Sequence, residues 1–212
     1  MSTYALPLTI VAYLIAARLG RARANGTIGR PVLTATFVVL LSAALLAEGR
    51  WPGLLEWGRR DAGAVAQGQF HRLFTAFWLQ SGSPAGEVFN IVALAMLGSI
   101  AEASLARWQW LVIYLAGALG SEVVGLWWQP VGAGNSVGYM SLAGALLALA
   151  CARPVRPADR PAAIAGLAAA AGLCLITDIH GAALAIGCLL CGAITRAGMA
   201  AGSPSTPPPE RP

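Results

Sequence analysis

The stretch GAGNSVGYMSLAG, residues 132–144, joins two strongly apolar segments and places a single serine, Ser136, among small residues at the start of a hydrophobic run. Glycines suit a loop, and a serine suits a helix N-cap. Whether more is encoded depends on what the rest of the chain puts beside Ser136.

The 212 residues are 57% hydrophobic and only 11% charged, with a mean hydropathy of +0.66. Soluble domains carry about a quarter charged residues, so this composition belongs in a bilayer. The net charge of +5 comes from arginine alone, because the chain has no lysine. The arginines lie in short runs between apolar segments and form no basic face, which excludes nucleic acid as the partner. Cys151, Cys174, Cys188 and Cys191 all fall within or at the end of apolar runs. Cys188-x-x-Cys191 has no further ligands nearby and reads as packing. No metal site and no cofactor are expected.

A membrane-crossing helix takes about 20 apolar residues. Seven candidate segments follow, near 4–19, 31–47, 86–103, 108–128, 136–152, 161–177 and 180–196. The first has no preceding positive residue and is followed by Arg18, Arg21 and Arg23, so it reads as a retained helix and not a signal peptide. If all seven cross, ten arginines fall on one side: Arg18, Arg21, Arg23, Arg30, Arg107, Arg153, Arg156, Arg160, Arg196 and Arg211. Arg50, Arg59, Arg60 and Arg72 share one long loop on the other. The arginine-rich side is cytoplasmic by the positive-inside bias, which puts the N-terminus outside and the C-terminus inside. The expected location is an integral, multi-pass position in a bacterial plasma membrane. The Pro-rich C-terminal stretch, 198–212, reads as a disordered tail.

Parity then yields a chemical expectation. Ser136 opens the fifth segment and His180 the seventh, so both start at the outer face at similar depth. A serine hydroxyl becomes a nucleophile when a positioned base takes its proton, and neutral imidazole is such a base. The unpaired N–H groups of a helix start can hold a developing oxyanion, and Asn90, near the outer end of the third segment, can add an amide donor. Close approach of two membrane helices needs small residues at their contact. Gly144 and Ala148 lie below Ser136, and Ala183 and Gly187 below His180, while Met140 is placed to pack under the imidazole.

At these residues the chain resembles the rhomboid intramembrane serine proteases, over roughly 31–196. GNSVGYMSLAG (134–144) is similar to the family's G-x-S-G-x-x-x-x-L-x-G through Gly134, Ser136, Leu142 and Gly144. HGAALAIG (180–187) resembles H-x-x-G-x-x-x-G through His180 and Gly187, with Ala183 at the middle glycine. NIVALAMLGSIAE (90–102) resembles N-x-x-x-L-x-x-x-G-x-x-x-E through Asn90, Leu94, Gly98 and Glu102. HRLFTAFWLQ (71–80) is similar to the tryptophan–arginine loop motif, keeping Arg72 and carrying His71 where tryptophan is usual.

The resemblance implies an all-α polytopic membrane protein, with a six-helix rhomboid-like core over 31–197. An extra transmembrane helix and basic cytoplasmic loop, 1–30, would precede it. It implies a Ser136–His180 dyad without an aspartate, and an oxyanion site made by Asn90 and the Ser136 N–H with Gly134 in support. The implied activity is endoproteolysis of transmembrane or juxtamembrane segments of other membrane proteins, in a water-filled cavity open outward. Asp178, two residues before His180, is expected to cap the helix and point away from the ring. The long loop 48–83, with Trp51, Trp57 and Trp78, is expected to lie partly in the membrane interface.

Three departures support a competing expectation, a weak or inactive rhomboid-like protein that binds membrane clients. Val137 follows the serine where glycine is usual, Gly86 replaces a histidine four residues before Asn90, and Gln80 stands where a loop histidine is common. Glu122, two turns inside the fourth segment, has two readings: neutralised in a polar pocket, or lining the cavity. A transporter is a weaker reading, since the chain shows no inverted repeat and no paired midplane interruptions. Glu102 and Arg107 read as surface or capping charges, and Gly117, Ser121 and Gly125 as ordinary packing.

Overall fold

The computed structural model describes residues 5–26 and 29–201. Long helices dominate: α1 (Ala5–Arg23), α2 (Val32–Arg50), α6 (Pro84–Ser104), α7 (Arg107–Trp128), α8 (Ser136–Ala152), α9 (Asp159–Leu175) and α10 (Ile179–Ala201). Between α2 and α6 the chain forms three short helices, α3 (Gly53–Gly58), α4 (Ala62–Ala66) and α5 (His71–Thr75), and a two-residue strand β1 (Arg60–Asp61). This strand pairs antiparallel with β2 (Val131–Gly132), placing Arg60 opposite Gly132.

Five helices are long and apolar enough to cross a membrane: α1, α2, α6, α7 and α10. The 17-residue α8 is a shorter apolar helix. The protein is therefore a polytopic, multi-pass membrane protein. Its outer surface agrees, because large apolar side chains such as Leu46, Trp127, Leu175 and Leu189 are more than 70% exposed, as lipid contact requires. The α10 helix runs to Ala201, past the boundary expected at 197. The rest of the expected tail, 202–212, lies outside the described residues.

The centre of the bundle is α8, of which twelve residues are buried. Its closest partner is α10, and α7, α9, α1 and α6 pack around the two. Small residues make the α8–α10 contact possible. A Cβ at Gly144 would collide with the Leu184 carbonyl, and one at Gly187 with the Ser141 carbonyl. At both places backbone lies directly on backbone, the closest approach two helices can make. Thus Gly144 and Gly187 of the expected stripes lie at this contact.

Aromatic rings fix α2 against α7. Phe37 meets Trp110 and Tyr114 edge-on at 5.1 and 4.8 Å, and stacks on Trp78 at 5.3 Å. Trp78 is therefore packed inward on α2, whereas Trp51 and Trp57 of the same loop are more than half exposed. Glu102 of α6 caps α2: its carboxylate accepts from the backbone N–H groups of Leu33 and Thr34 and from the Thr34 hydroxyl, at 2.9–3.0 Å. This satisfies donors that a helix start leaves unpaired. The α1 helix buries Ala5, Thr9, Ala12 and Ala16 against α9, α8 and α6.

Candidate active site

Ser136 is the first residue of α8, preceded by Asn135. Its hydroxyl is not spent on capping. Instead Ser136 Oγ lies 3.0 Å from His180 Nε2, across the α8–α10 contact. His180 is the second residue of α10 and is only 8% exposed. The level shared by the two helix starts and the glycine contacts beneath them produce this bond. At that distance a serine proton can pass to the imidazole.

The approach to Ser136 is pinned from several sides. The β1–β2 pair holds 131–132, and the Gly134 N–H donates to the Ala76 carbonyl at 3.0 Å. Ser81 Oγ donates to the Ala133 carbonyl and accepts from the Ala133 N–H, at 2.8 and 2.9 Å. Gly134 leaves a small space. A Cβ there would lie 3.6 Å from Ser136 Oγ and 3.8 Å from both Asn90 Nδ2 and Gln80 Oε1. The hydroxyl and the Asn90 amide thus face one region. The Ser136 N–H, in the first turn, has no intrahelical acceptor.

Asn90 is held on both sides. Its Nδ2 donates to Gln80 Oε1 at 3.1 Å and its Oδ1 accepts from the Tyr139 hydroxyl at 3.1 Å. An amide nitrogen carries two hydrogens, so the Gln80 bond leaves one. Gln80, noted in the sequence only as a lost histidine, is 1% exposed, and its Nε2 donates to Asn135 Oδ1 at 2.8 Å. It ties the α6 asparagine to the residue preceding Ser136. Gly86 lies in the first turn of α6, where its N–H donates to Ser83 Oγ at 3.3 Å. Met140 is fully buried and shares a cavity wall with His180.

Asp178, expected to point away from the ring, accepts from His180 Nδ1 at 2.6 Å. The expectation of a cap is met at the same time, because the same Oδ1 accepts from the His180 backbone N–H at 3.0 Å. Two residues apart on a helix face different sides, but Asp178 precedes the first residue of α10, so helical angles do not govern it. Burial pushes the Asp178 carboxyl up; the bonds from His180 and from Gln129 Nε2 outweigh this and hold it below its ordinary value.

Glu122 meets both of its readings. It is 1% exposed, forms an ion pair with Arg60, which is 3% exposed, and lines the same cavity as Ser136. Arg60 Nε also donates to the Gln129 carbonyl at 2.9 Å. Gly125, expected as helix packing, provides the seat for this guanidinium: a Cβ would collide with it. His71 stacks on Trp57 at 4.7 Å, in the loop between α2 and α6. Arg72 donates to the Glu56 and Arg59 carbonyls at 2.7 and 3.1 Å and so staples that loop.

Two cavities share Ser81, Asn90 and His180 in their walls. One, of about 260 Å³, is polar and includes Arg60, Asn90, Glu122, Gln129, Ser136 and His180 in its wall. The other, of about 380 Å³, is mainly apolar and runs between Leu6, Ile10 and Leu14 of α1 and Phe89 of α6 to Asn90 and His180. Among the described residues, no group of three or more His, Cys, Asp or Glu side chains is placed to hold a metal ion.

Fold and site together define a polytopic helical membrane protein with a serine–histidine pair at the N-terminal ends of two packed helices. The chain belongs to the rhomboid family: the family model described as Rhomboid domain matches residues 67–202, more than half of the chain. That span contains Asn90, Ser136, Asp178 and His180. Comparison with the curated proteins and with the solved structures gave no match.

Proposed function

We propose that the protein is an intramembrane serine endopeptidase that cleaves transmembrane or juxtamembrane segments of other membrane proteins near the outer face of a bacterial plasma membrane. The carrying observation is the 3.0 Å contact between Ser136 Oγ and His180 Nε2 in the wall of a polar cavity. In this reading residues 31–197 form a six-helix rhomboid-like core, and α1, preceding it, is an additional membrane helix. The N-terminus is outside and the C-terminus cytoplasmic.

The chemistry follows from the contacts. Ser136 Oγ bonds to the scissile carbonyl carbon as its proton passes to His180 Nε2. The oxyanion accepts from the Ser136 N–H and from the remaining Asn90 Nδ2 hydrogen, with Gly134 leaving the space it occupies. The C–N bond then breaks, and His180 gives its proton to the leaving amine. Water entering from the polar cavity, deprotonated by His180, attacks the acyl ester and releases the acid, and the proton returns to Ser136 Oγ. A substrate helix reaches the site along the apolar groove between α1 and α6. Each donor aimed at an oxyanion is worth about 10²–10³ in rate, so Asn90 carries a large share of the acceleration.

Labelling with a serine-directed fluorophosphonate in detergent tests this. The expected result is one labelled band that vanishes in Ser136→Ala and in His180→Ala. Equal labelling of Ser136→Ala refutes it. A second reading, an inactive client-binding protein, draws on the Gln80 and Tyr139 bonds that already occupy Asn90. Absence of labelling, with client cross-linking unchanged by Ser136→Ala, would establish that reading instead.

A further inference from the structure

We infer that Asp178 is a positioning residue for His180, making the site an Asp178–His180–Ser136 relay, with Gln129 holding the aspartate. The inference rests on the protease reading and adds a third member to its pair.

Asp178 is 2% exposed, yet both of its oxygens are occupied. Oδ1 accepts from the backbone N–H and from Nδ1 of His180, at 3.0 and 2.6 Å. Oδ2 accepts from Gln129 Nε2 at 3.2 Å. One carboxylate oxygen thus grips the backbone and the ring of the same residue, which fixes the ring's orientation. An ionised carboxylate only accepts, so Nδ1 must carry the ring hydrogen in this bond. Nε2 of the neutral imidazole then presents its lone pair to the Ser136 hydroxyl. That is the tautomer a general base needs. When His180 takes the serine proton, the adjacent carboxylate stabilises the imidazolium, and no proton need move to Asp178.

Two further features aim the carboxylate. The turn before Asp178 has Thr177 at φ 53°, an uncommon conformation for a β-branched residue. Its N–H donates to the Cys174 carbonyl and the Asp178 N–H to the Leu173 carbonyl, at 3.0 and 2.9 Å. This closes α9 in the Schellman manner and delivers Asp178 directly to the start of α10. On the other side, the Glu122–Arg60 ion pair holds the Gln129 backbone through Arg60 Nε. The relay is therefore buttressed by α7, the loop between α2 and α6 and the α9–α10 turn at once. Backbone held in a sparsely populated region beside a reacting group is a recurrent mark of functional sites.

The test is Asp178→Asn, which keeps an N-cap acceptor while removing the charge. Its amide can donate to Nδ1 and so favour the tautomer that turns a hydrogen toward Ser136. The chain has two histidines, His71 and His180, so protein labelled with ¹⁵N-histidine gives four ring nitrogens, and His71→Gln assigns them. The expected result is a neutral His180 carrying hydrogen on Nδ1 in the wild type and partly on Nε2 in Asp178→Asn. With a cleavable transmembrane substrate, kcat should fall by about 10²–10⁴ with KM within about twofold. Gln129→Met should give a smaller loss, about tenfold. A wild-type ring protonated on Nε2, or a tautomer and kcat unchanged in Asp178→Asn, overturns the inference and leaves the Ser136–His180 pair standing. Absent Ser136-dependent labelling in the wild type defeats the protease reading instead, and the nitrogen signals still decide what Asp178 does.

Discussion

Replacing Gly187 by alanine puts one methyl group where α8 and α10 touch most closely. The new Cβ would sit on the Ser141 carbonyl, whereas a carbon and a carbonyl oxygen in contact stand about 3.3–3.6 Å apart. The helices must therefore separate locally by on the order of 1 Å, at a cost of about 1–3 kcal/mol for overpacking. Ser136 and His180 lie on these same two helices, at their N-terminal ends. Their bond is 3.0 Å, and a hydroxyl–imidazole pair drawn to about 3.6 Å or more is no longer hydrogen-bonded. A misplacement of about 1 Å costs roughly 10² in rate. Gly187→Ala should thus lower the fluorophosphonate labelling rate of Ser136 by about 10²-fold, with a lower midpoint of thermal unfolding in detergent by tryptophan fluorescence. Gly192, on the same helix, is the control, because a Cβ there meets nothing within 4 Å. Gly192→Ala should keep the labelling rate and gain up to about 1 kcal/mol from helix propensity. Wild-type labelling and stability in Gly187→Ala would refute the claim that glycine contacts set the site's geometry.

Two further perturbations test the frame around the site. Glu122→Leu leaves the Arg60 guanidinium buried and unpaired, and should cost about 3–5 kcal/mol in a denaturant titration. The double variant Arg60→Met with Glu122→Leu should recover more than half of that, and no recovery would mean that the pair is not a coupled unit. At the opposite face, Glu102→Ala removes the cap from α2 and should cost about 1–2 kcal/mol by the same titration. A change below about 0.5 kcal/mol would show that those α2 donors find other partners.

Much of this arrangement is legible in the sequence. Apolar length placed the five long apolar helices and the shorter α8 within a few residues, because a membrane helix must satisfy its own backbone and declares itself by composition. The expected span at 161–177 forms α9, which is not among the helices long and apolar enough to cross. Gly144 and Gly187 pointed to the α8–α10 contact that carries the Ser136–His180 bond, since small residues are the condition for close helix contact. The cap supplied by Glu102 was half legible: capping was one of its two readings, a surface charge the other, and its target, the start of α2, was not foreseen. Local spacing misled at Asp178, where helical angles were applied to a residue outside the helix. Gly125 shows the same limit. It has a packing spacing, and its neighbour is a charged side chain from the loop.

Length, hydropathy and residue spacing by themselves determined a polytopic helical protein and the two helix starts that carry Ser136 and His180. Those signals are local, and each helix announces its own span and its own small-residue stripe. Only the tertiary structure decided that Gln80 bridges Asn90 to Asn135, that Arg60 neutralises Glu122, and that Gln129 holds Asp178 against the ring. The partners in these bonds come from different segments, the Arg60–Glu122 pair 62 residues apart. Irregular backbone between helices has no periodicity to fix where its side chains arrive. Buried polar groups had to find partners, and which partners they found depended on how the loop between α2 and α6 and the turn between α9 and α10 closed over the bundle.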